Sequence, residues 1–440
     1  MTSSSLVKVK EAELITPSEL TPSRILSLSS LDSQLFLRFT IEYLLVYSPS
    51  SSSQKSALVS SLKSALAEAL VPYYPLAGRV RAKPGGLGLE VVCRAQGAVF
   101  IEAISDHLLA SELVQAPRHV MQWRKLLALH VTDVLKGDLA PPLVMQLTWL
   151  ADGAAAVGVG LSHCLCDGIG SAEFPNLFSE LASGHHGPER PKPIPVWDRH
   201  LLDSSPPRAS SVNHPEFNRV PDLCNFNSRF TQDRLTPTSV CFTRKSLKEL
   251  KRIAGPTGRP SELNNYTSFE VLSAHVWRSW ARAQNLPSNQ ILKLLFSVNI
   301  RNRVKPSLPT GFYGNGFVLS CAQTTVKDMT EKGLAYVALL VKKAKDRVND
   351  EFVRSAVTRV SESRACPDSV GVLIISQWSR LGLDRVDFGL GRPIHVGPVC
   401  CDRYCLFLPV YDETDAVKVM VAVPSFGVEK YQNLVRSPYS

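Results

Sequence analysis

The chain has 440 residues, of which 44% are hydrophobic and 20% charged, and a formal net charge of +10. That length is too great for one ordinary core and predicts two domains, while the apolar share excludes a disordered chain. The basic residues sit in short scattered runs such as Arg244-Lys245 and Lys342-Lys343, so no nucleic-acid partner is expected, and the charge reads either as a soluble basic surface or as attraction for a polyanionic small molecule.

The N-terminus, Met-Thr-Ser-Ser-Ser-Leu-Val-Lys, has no basic segment followed by an apolar one, so no signal peptide is expected. Turn signals at Thr16-Pro-Ser and Thr21-Pro-Ser precede an alternation of Leu35, Leu37, Phe39, Ile41, Tyr43 and Leu45, which predicts a strand over 35–47. A serine-rich loop follows, and apolar residues at 58, 59, 62, 65, 66 and 69 predict a helix over 54–70. After Pro72-Tyr-Tyr-Pro-Leu-Ala-Gly-Arg79, short strands are expected as far as Glu102. Segments 143–150 and 154–161 predict a hairpin turning through Ala151-Asp-Gly153, with a helix over about 170–183.

Between 187 and 222, prolines at 188, 191, 193, 195, 206, 207, 215 and 221 interrupt any period. This predicts an extended crossover, 188–222, between a first domain at 1–187 and a second at 223–440. A segment near 385–403 is a candidate for packing with the first domain. Beyond the crossover the pattern predicts a strand at 239–244, helices at 246–253 and 269–283, a strand at 292–299 and a helical stretch at 329–351. Strands are then expected at 370–375, 404–409 and 417–423. Strands and helices mixed in both halves predict two α/β units side by side. No run of about twenty apolar residues occurs, so no membrane span is expected. Ten cysteines are irregularly spread, several in apolar runs such as those around Cys93, Cys241 and Cys321. That usage fits reduced thiols in the cytoplasm better than a disulfide framework.

His163-Cys-Leu-Cys-Asp167-Gly168 follows the apolar run 154–161 directly, so its His stands where a buried strand meets a loop. A neutral imidazole there can take a proton from a hydroxyl near pH 7. No other His of this chain has Asp at the fourth following position. Cys164 and Cys166 bracket the motif. Structural zinc favours ligands spaced two to four apart with a second pair, which is missing, so both cysteines are expected to pack as small apolar groups and no metal is expected. A second motif, Asp387-Phe-Gly-Leu-Gly391, places two glycines around one side chain, a pattern for a turn with positive φ.

Together these motifs resemble the BAHD acyltransferase family of plants, which transfers acyl groups from coenzyme A to alcohols or amines. The first matches the family's His-x-x-x-Asp-Gly. The second is similar to its Asp-Phe-Gly-Trp-Gly, with Leu390 where the family usually has Trp. Further similarity lies in Pro72–Arg79, in Tyr266-Thr-Ser-Phe-Glu270 leading to His275-Val-Trp277-Arg278, in Asn299-Ile-Arg301-Asn-Arg303, and in Pro309-x-Gly311 with Tyr313-Gly-Asn315. The resemblance covers essentially the whole chain. It implies two similar mixed-sheet α/β domains of the chloramphenicol acetyltransferase type joined by the crossover. It also implies a monomeric enzyme of plant specialised metabolism, with acyl-CoA as co-substrate and no permanently bound cofactor.

The resemblance also implies roles. His163 is the expected general base. Asp167 is expected to point away from the pocket and pair with Arg301, holding the His loop rather than completing a triad. Asp387, Gly389 and Gly391 are expected to hold a loop, and Leu390 cannot supply the indole N–H of the usual Trp. Ser376 and Trp378 match a Thr/Ser-x-Trp pattern whose indole N–H can reach the reacting oxygen; the alternative is a Trp packing at a strand end. Thr267 and Ser268 match residues that contact coenzyme A. Lys245, Lys248 and Lys251 lie near an expected helix start and are candidates for its phosphates, Lys251 above all, the alternative being a solvated basic face. Two further readings remain: a catalytically impaired accessory protein, to which only Leu390 lends support, and an amine acceptor, for which no acidic pocket residue can be placed. A peptide-synthetase condensation domain is disfavoured because Ser162, not His, precedes His163.

Overall fold

Apolar runs rich in Val, Ile and Leu recur through both halves, and a computed structural model gathers them into two six-stranded mixed sheets. It describes residues 7–49, 55–86, 88–128, 140–184, 193–203, 212–255, 266–402 and 404–437. In the first half come β1 (Lys8–Ile15), β2 (Arg24–Ser27), β3 (Thr40–Tyr47), α1 (Lys55–Ala69), β4 (Arg79–Ala82), β5 (Leu89–Cys93), β6 (Ala98–Ile104), α2 (Ala110–Leu113), β7 (Leu143–Trp149), β8 (Ala155–Ser162) and α3 (Gly168–Ala182). In the second come α4 (Phe226–Arg229), β9 (Leu235–Phe242), α5 (Arg244–Ala254), α6 (Ser268–Ala283), β10 (Ile291–Asn299), β11 (Phe317–Thr325) and α7 (Val326–Glu331). These are followed by α8 (Gly333–Asp346), α9 (Asp350–Ser363), β12 (Val372–Gln377), β13 (His395–Pro398), β14 (Cys405–Val410), β15 (Glu413–Pro424) and α10 (Val428–Arg436).

The first sheet has the order β1-β6-β7-β8-β3-β13, and the second β11-β10-β12-β14-β15-β9. Each carries parallel pairs inside an otherwise antiparallel ladder, β6 with β7 in one and β10 with β12 and β12 with β14 in the other. This is the α/β architecture of two similar mixed sheets expected from the sequence. A third, small sheet joins β2, β5 and β4. One apolar core runs through both halves, joining Tyr43, Val157 and Phe174 to Leu406, Leu408 and Met420. A second core lies beneath α6, α8 and α9, around Trp277 and Trp280.

The register of β13 creates the site. Its pairing runs from His395 opposite Val46 to Pro398 opposite Tyr43. Thr40, Ile41 and Glu42 therefore extend past the end of their edge neighbour, and all three line a cavity between the two sheets.

Several boundaries differ from the sequence pattern. The predicted strand at 35–47 starts only at Thr40, because Leu35–Leu37 form a 3-10 turn in which Leu35 is 50% exposed and matches the alternation by coincidence. The stretch 329–351 is broken at Gly333, whose φ of +75° ends α7, and again before α9, where the Asn349 side chain accepts the N–H of Phe352 at 2.9 Å. β11 and β13 were not foreseen. Parts of the serine-rich loop and of the crossover, 185–192 and 204–211, lie outside the described residues. The described crossover residues include a 3-10 turn, Arg199–Leu202, with Arg199 and Leu202 buried.

Candidate active site

His163 is the first residue past β8, and its N–H donates to the carbonyl of Phe39 at 3.0 Å. Strand pairing thus delivers the imidazole to the loop before α3. Its Nδ1 lies 3.0 Å from Oδ1 of Asn315. Nδ2 of the same amide donates to the carbonyl of His163 at 2.7 Å and to Oδ1 of Asp32 at 2.8 Å. Two acceptors on that side fix which amide atom is nitrogen, so Oδ1 must receive a proton from Nδ1 of the ring. The ring is then a neutral Nδ1–H tautomer with its basic lone pair on Nε2. Burial pulls its pKa below the ordinary histidine value, with nearby Asp167 and Asp32 opposing that shift. The ring is neutral at pH 7.

The ring lies on the wall of a cavity of about 720 Å³. Apolar side chains dominate that wall, Ile41 and Ile374 among them, and the rings of Phe39 and Phe317 pack against the imidazole. Ser376 and Trp378 stand on the same wall at the end of β12. The N–H groups of Trp378 and Ser379 both donate to the carbonyl of Phe407, at 2.8 and 2.7 Å, which fixes that turn. The indole packs edge-on against Tyr43 with centroids 4.7 Å apart. Its Nε1–H donates to Oγ of Ser376 at 3.2 Å. The indole proton is therefore already engaged, and the hydroxyl proton of Ser376 is the donor left to turn towards a ligand.

Asp167 does not bond the imidazole. It caps α3, taking the N–H groups of Ile169 and Gly170 at 3.1 Å each. It also takes Arg301 in a two-pronged pair at 2.7 and 3.1 Å, and the N–H of Gly316 at 3.0 Å. A Cβ on Gly316 would meet the guanidinium at 2.7 Å, so a larger residue there would displace Arg301 from its pair. Cys164 and Cys166 are fully buried, with thiols pushed up to about 12 by burial, and pack as small apolar groups.

The Transferase family model matches residues 5–435 of this chain. The chain belongs to this family, the BAHD acyltransferases. It is an enzyme of the acyltransferase class. Omega-hydroxypalmitate O-feruloyl transferase of Arabidopsis thaliana is 33% identical over 430 residues, covering 97% of this chain and 92% of that one. Taxadien-5-alpha-ol O-acetyltransferase of Taxus chinensis is 33% identical over 437 residues, covering 97% and 95%. The crystal structure of vinorine synthase shares the fold with a TM-score of 0.72 at 21% identity, covering 96% of each chain. F. graminearum TRI101, solved with ethyl coenzyme A, matches with a TM-score of 0.73 at 17% identity over 93% of this chain and 97% of that one.

In this BAHD chain the remaining sequence-selected residues lie away from the cavity wall. Oδ1 of Asp387 accepts three N–H groups, from Gly389 at 2.8 Å, Leu390 at 3.0 Å and Gly391 at 2.9 Å. Both glycines have φ of +82°. Leu390 packs against the shared core. Thr267 caps α6, exchanging hydrogen bonds with Glu270, and Ser268 is its first helical residue. The next residue, Phe269, packs edge-on against Phe296 and Phe407, whose neighbours Ser297 and Leu406 line the cavity. Lys251 does not lie near a helix start: α5 begins at Arg244, and Lys251 falls in its last turn, where the helix dipole is negative. The sequence reading missed Asn315, Asp32 and Arg199. Asn315 closes the Tyr313-Gly-Asn315 motif, which was a signal; Arg199 sits among prolines with none.

Proposed function

We propose that this BAHD acyltransferase moves an acyl group from coenzyme A to a hydroxyl of a small, largely apolar alcohol, with His163 as general base. The observation that carries this reading is a neutral imidazole whose Nδ1–H is held by Asn315 while its ring faces a mostly apolar cavity. Alcohol acceptors are also named for the hydroxypalmitate and taxadienol relatives. Nε2 takes the hydroxyl proton as the alcohol oxygen attacks the thioester carbonyl carbon. The resulting oxyanion needs a donor, and the Ser376 hydroxyl, oriented by Trp378, is placed in that role. The carbon–sulfur bond then breaks, the ester leaves, and the thiolate takes the proton back from the imidazolium. No acyl-enzyme is required.

Asp167 and Arg301 hold the His loop, and the Asp387 loop supports β13. Thr267 and Ser268 are assigned to coenzyme A on resemblance alone, and Lys251, which lies in the last turn of α5 rather than near its start, keeps no support for that role. A monomer is what the resemblance implies, and ten free thiols support a reducing compartment such as the cytoplasm. The breadth of alcohols acylated by the relatives supports a place in plant specialised metabolism. The test is free-thiol release from a panel of acyl-CoAs and alcohols. His163→Ala should reduce kcat about 10²–10⁴-fold. Equal release by the two proteins would remove His163 from the mechanism.

A further inference from the structure

Behind the imidazole lies a buried chain of polar contacts that begins in the crossover. Arg199, 3% exposed, places Nη1 2.8 Å from Oδ1 of Asp32, and its Nη2 donates to the carbonyl of Leu165 at 2.7 Å. Asp32 is fully buried. Its Oδ1 takes the Asn315 N–H at 2.9 Å and the Asn315 amide at 2.8 Å. Its Oδ2 takes the N–H and hydroxyl of Ser29 at 3.0 and 2.7 Å. A Cβ on Gly314 would lie 2.4 Å from the Arg199 guanidinium, so the turn before Asn315 is shaped around this pair.

An amide side chain can rotate by half a turn at small steric cost, exchanging donor and acceptor. If Asn315 did so, its nitrogen would face Nδ1, the ring would move its proton to Nε2, and the base would be lost. The carboxylate of Asp32 opposes this together with the carbonyl of His163, because a rotated amide would point its oxygen at both. We propose that Asp32 is a positioning residue for His163: anchored by Arg199, it locks the Asn315 amide and thereby keeps the imidazole proton on Nδ1. The crossover is then part of the machinery that keeps the base competent, as well as a connection. This rests on His163 being the base.

The charged groups around the imidazole are Asp167, paired with Arg301, and Asp32, paired with Arg199. Its other neighbours are the rings of Phe39 and Phe317 and the amide of Asn315. Asp32 favours the imidazolium and so works against the downward pull of burial. Removing its charge must lower the pKa further, and the acid limb of the rate profile must move to lower pH.

The test compares wild type, Asp32→Asn, the charge-balanced double variant Asp32→Asn/Arg199→Gln, and His163→Ala. Both Asp32 variants should lose about 3- to 10-fold in kcat, as the inactive tautomer becomes populated, with KM for acyl-CoA unchanged. The acid limb of Asp32→Asn should fall by about half a pH unit or more, and that of the charge-balanced double variant by less, since it also loses the opposing Arg199 charge. Nitrogen-15 spectra of histidine-labelled wild type, assigned with His163→Ala, should show the Nδ1–H tautomer at neutral pH. Wild-type Nε2–H, or folded variants with an unmoved acid limb and unchanged tautomer, would overturn the positioning role. An active His163→Ala would instead overturn the reading on which it rests.

Discussion

At the scale of single residues the site divides charge from chemistry. His163 meets a neutral amide rather than a carboxylate, so its imidazolium is not trapped by a strong partner and can return its proton to sulfur. Asp167 is occupied by five donors, none of them the imidazole. Asp167→Asn would leave the Arg301 guanidinium, only 14% exposed, without its counter-charge. Breaking a buried pair from one side costs about 3–5 kcal/mol. We expect the loss to appear in denaturant unfolding, with turnover per folded molecule falling far less. If the unfolding curve were unmoved while turnover collapsed, Asp167 would belong to the reaction itself. His163 and Asp167 were legible in the sequence because four residues and one turn bring them together. Asn315 was not assigned a role, since an amide carries no period and its partner lies 152 residues away.

At the scale of elements, the Asp387 loop leads directly into β13. One carboxylate oxygen organises three N–H groups, and two residues with φ of +82° make that convergence geometrically feasible. A Cβ on Gly389 would also press within 3.0 Å of Leu58 on α1. Asp387→Ala leaves three donors to find water and should destabilise by about 1–2 kcal/mol. The check is the urea midpoint, which should fall while the slope of the transition stays constant. Leu390 only needs to reach the core, and it does, so the family's usual Trp is not required to form this turn. Elements with clear signals were readable: α1 from its apolar spacing, the β7–β8 hairpin from two apolar runs around Ala151-Asp-Gly153, and α3 and α6 as the helices expected at 170–183 and 269–283. β13 was not, because His395-Val-Gly-Pro398 is short, contains Gly and Pro, and pairs with a strand far away in sequence.

At the scale of the molecule, β13 is a strand from the C-terminal half completing the N-terminal sheet, and a buried polar contact crosses with it. Nδ1 of His395 lies 3.5 Å from Nζ of Lys418 on β15 in the second sheet, and that ammonium also donates to the carbonyl of Val114 at 3.1 Å. Burial, aided by the Lys418 charge, depresses the His395 pKa to about 3. An unfolded histidine takes its proton near pH 6.5. Between those values the unfolded chain binds a proton that the folded one refuses. Stability from this residue is therefore complete above about 6.5 and is lost as pH falls towards about 3. His395→Gln cannot titrate, so it should escape this loss even if it packs less well at neutral pH. From pH 7 to 4.5 the stability advantage of wild type over the variant should shrink by about 2–3 kcal/mol in paired urea titrations. A constant difference across that range would mean that the folded ring accepts a proton freely, and that the contact joining the two sheets is open to water.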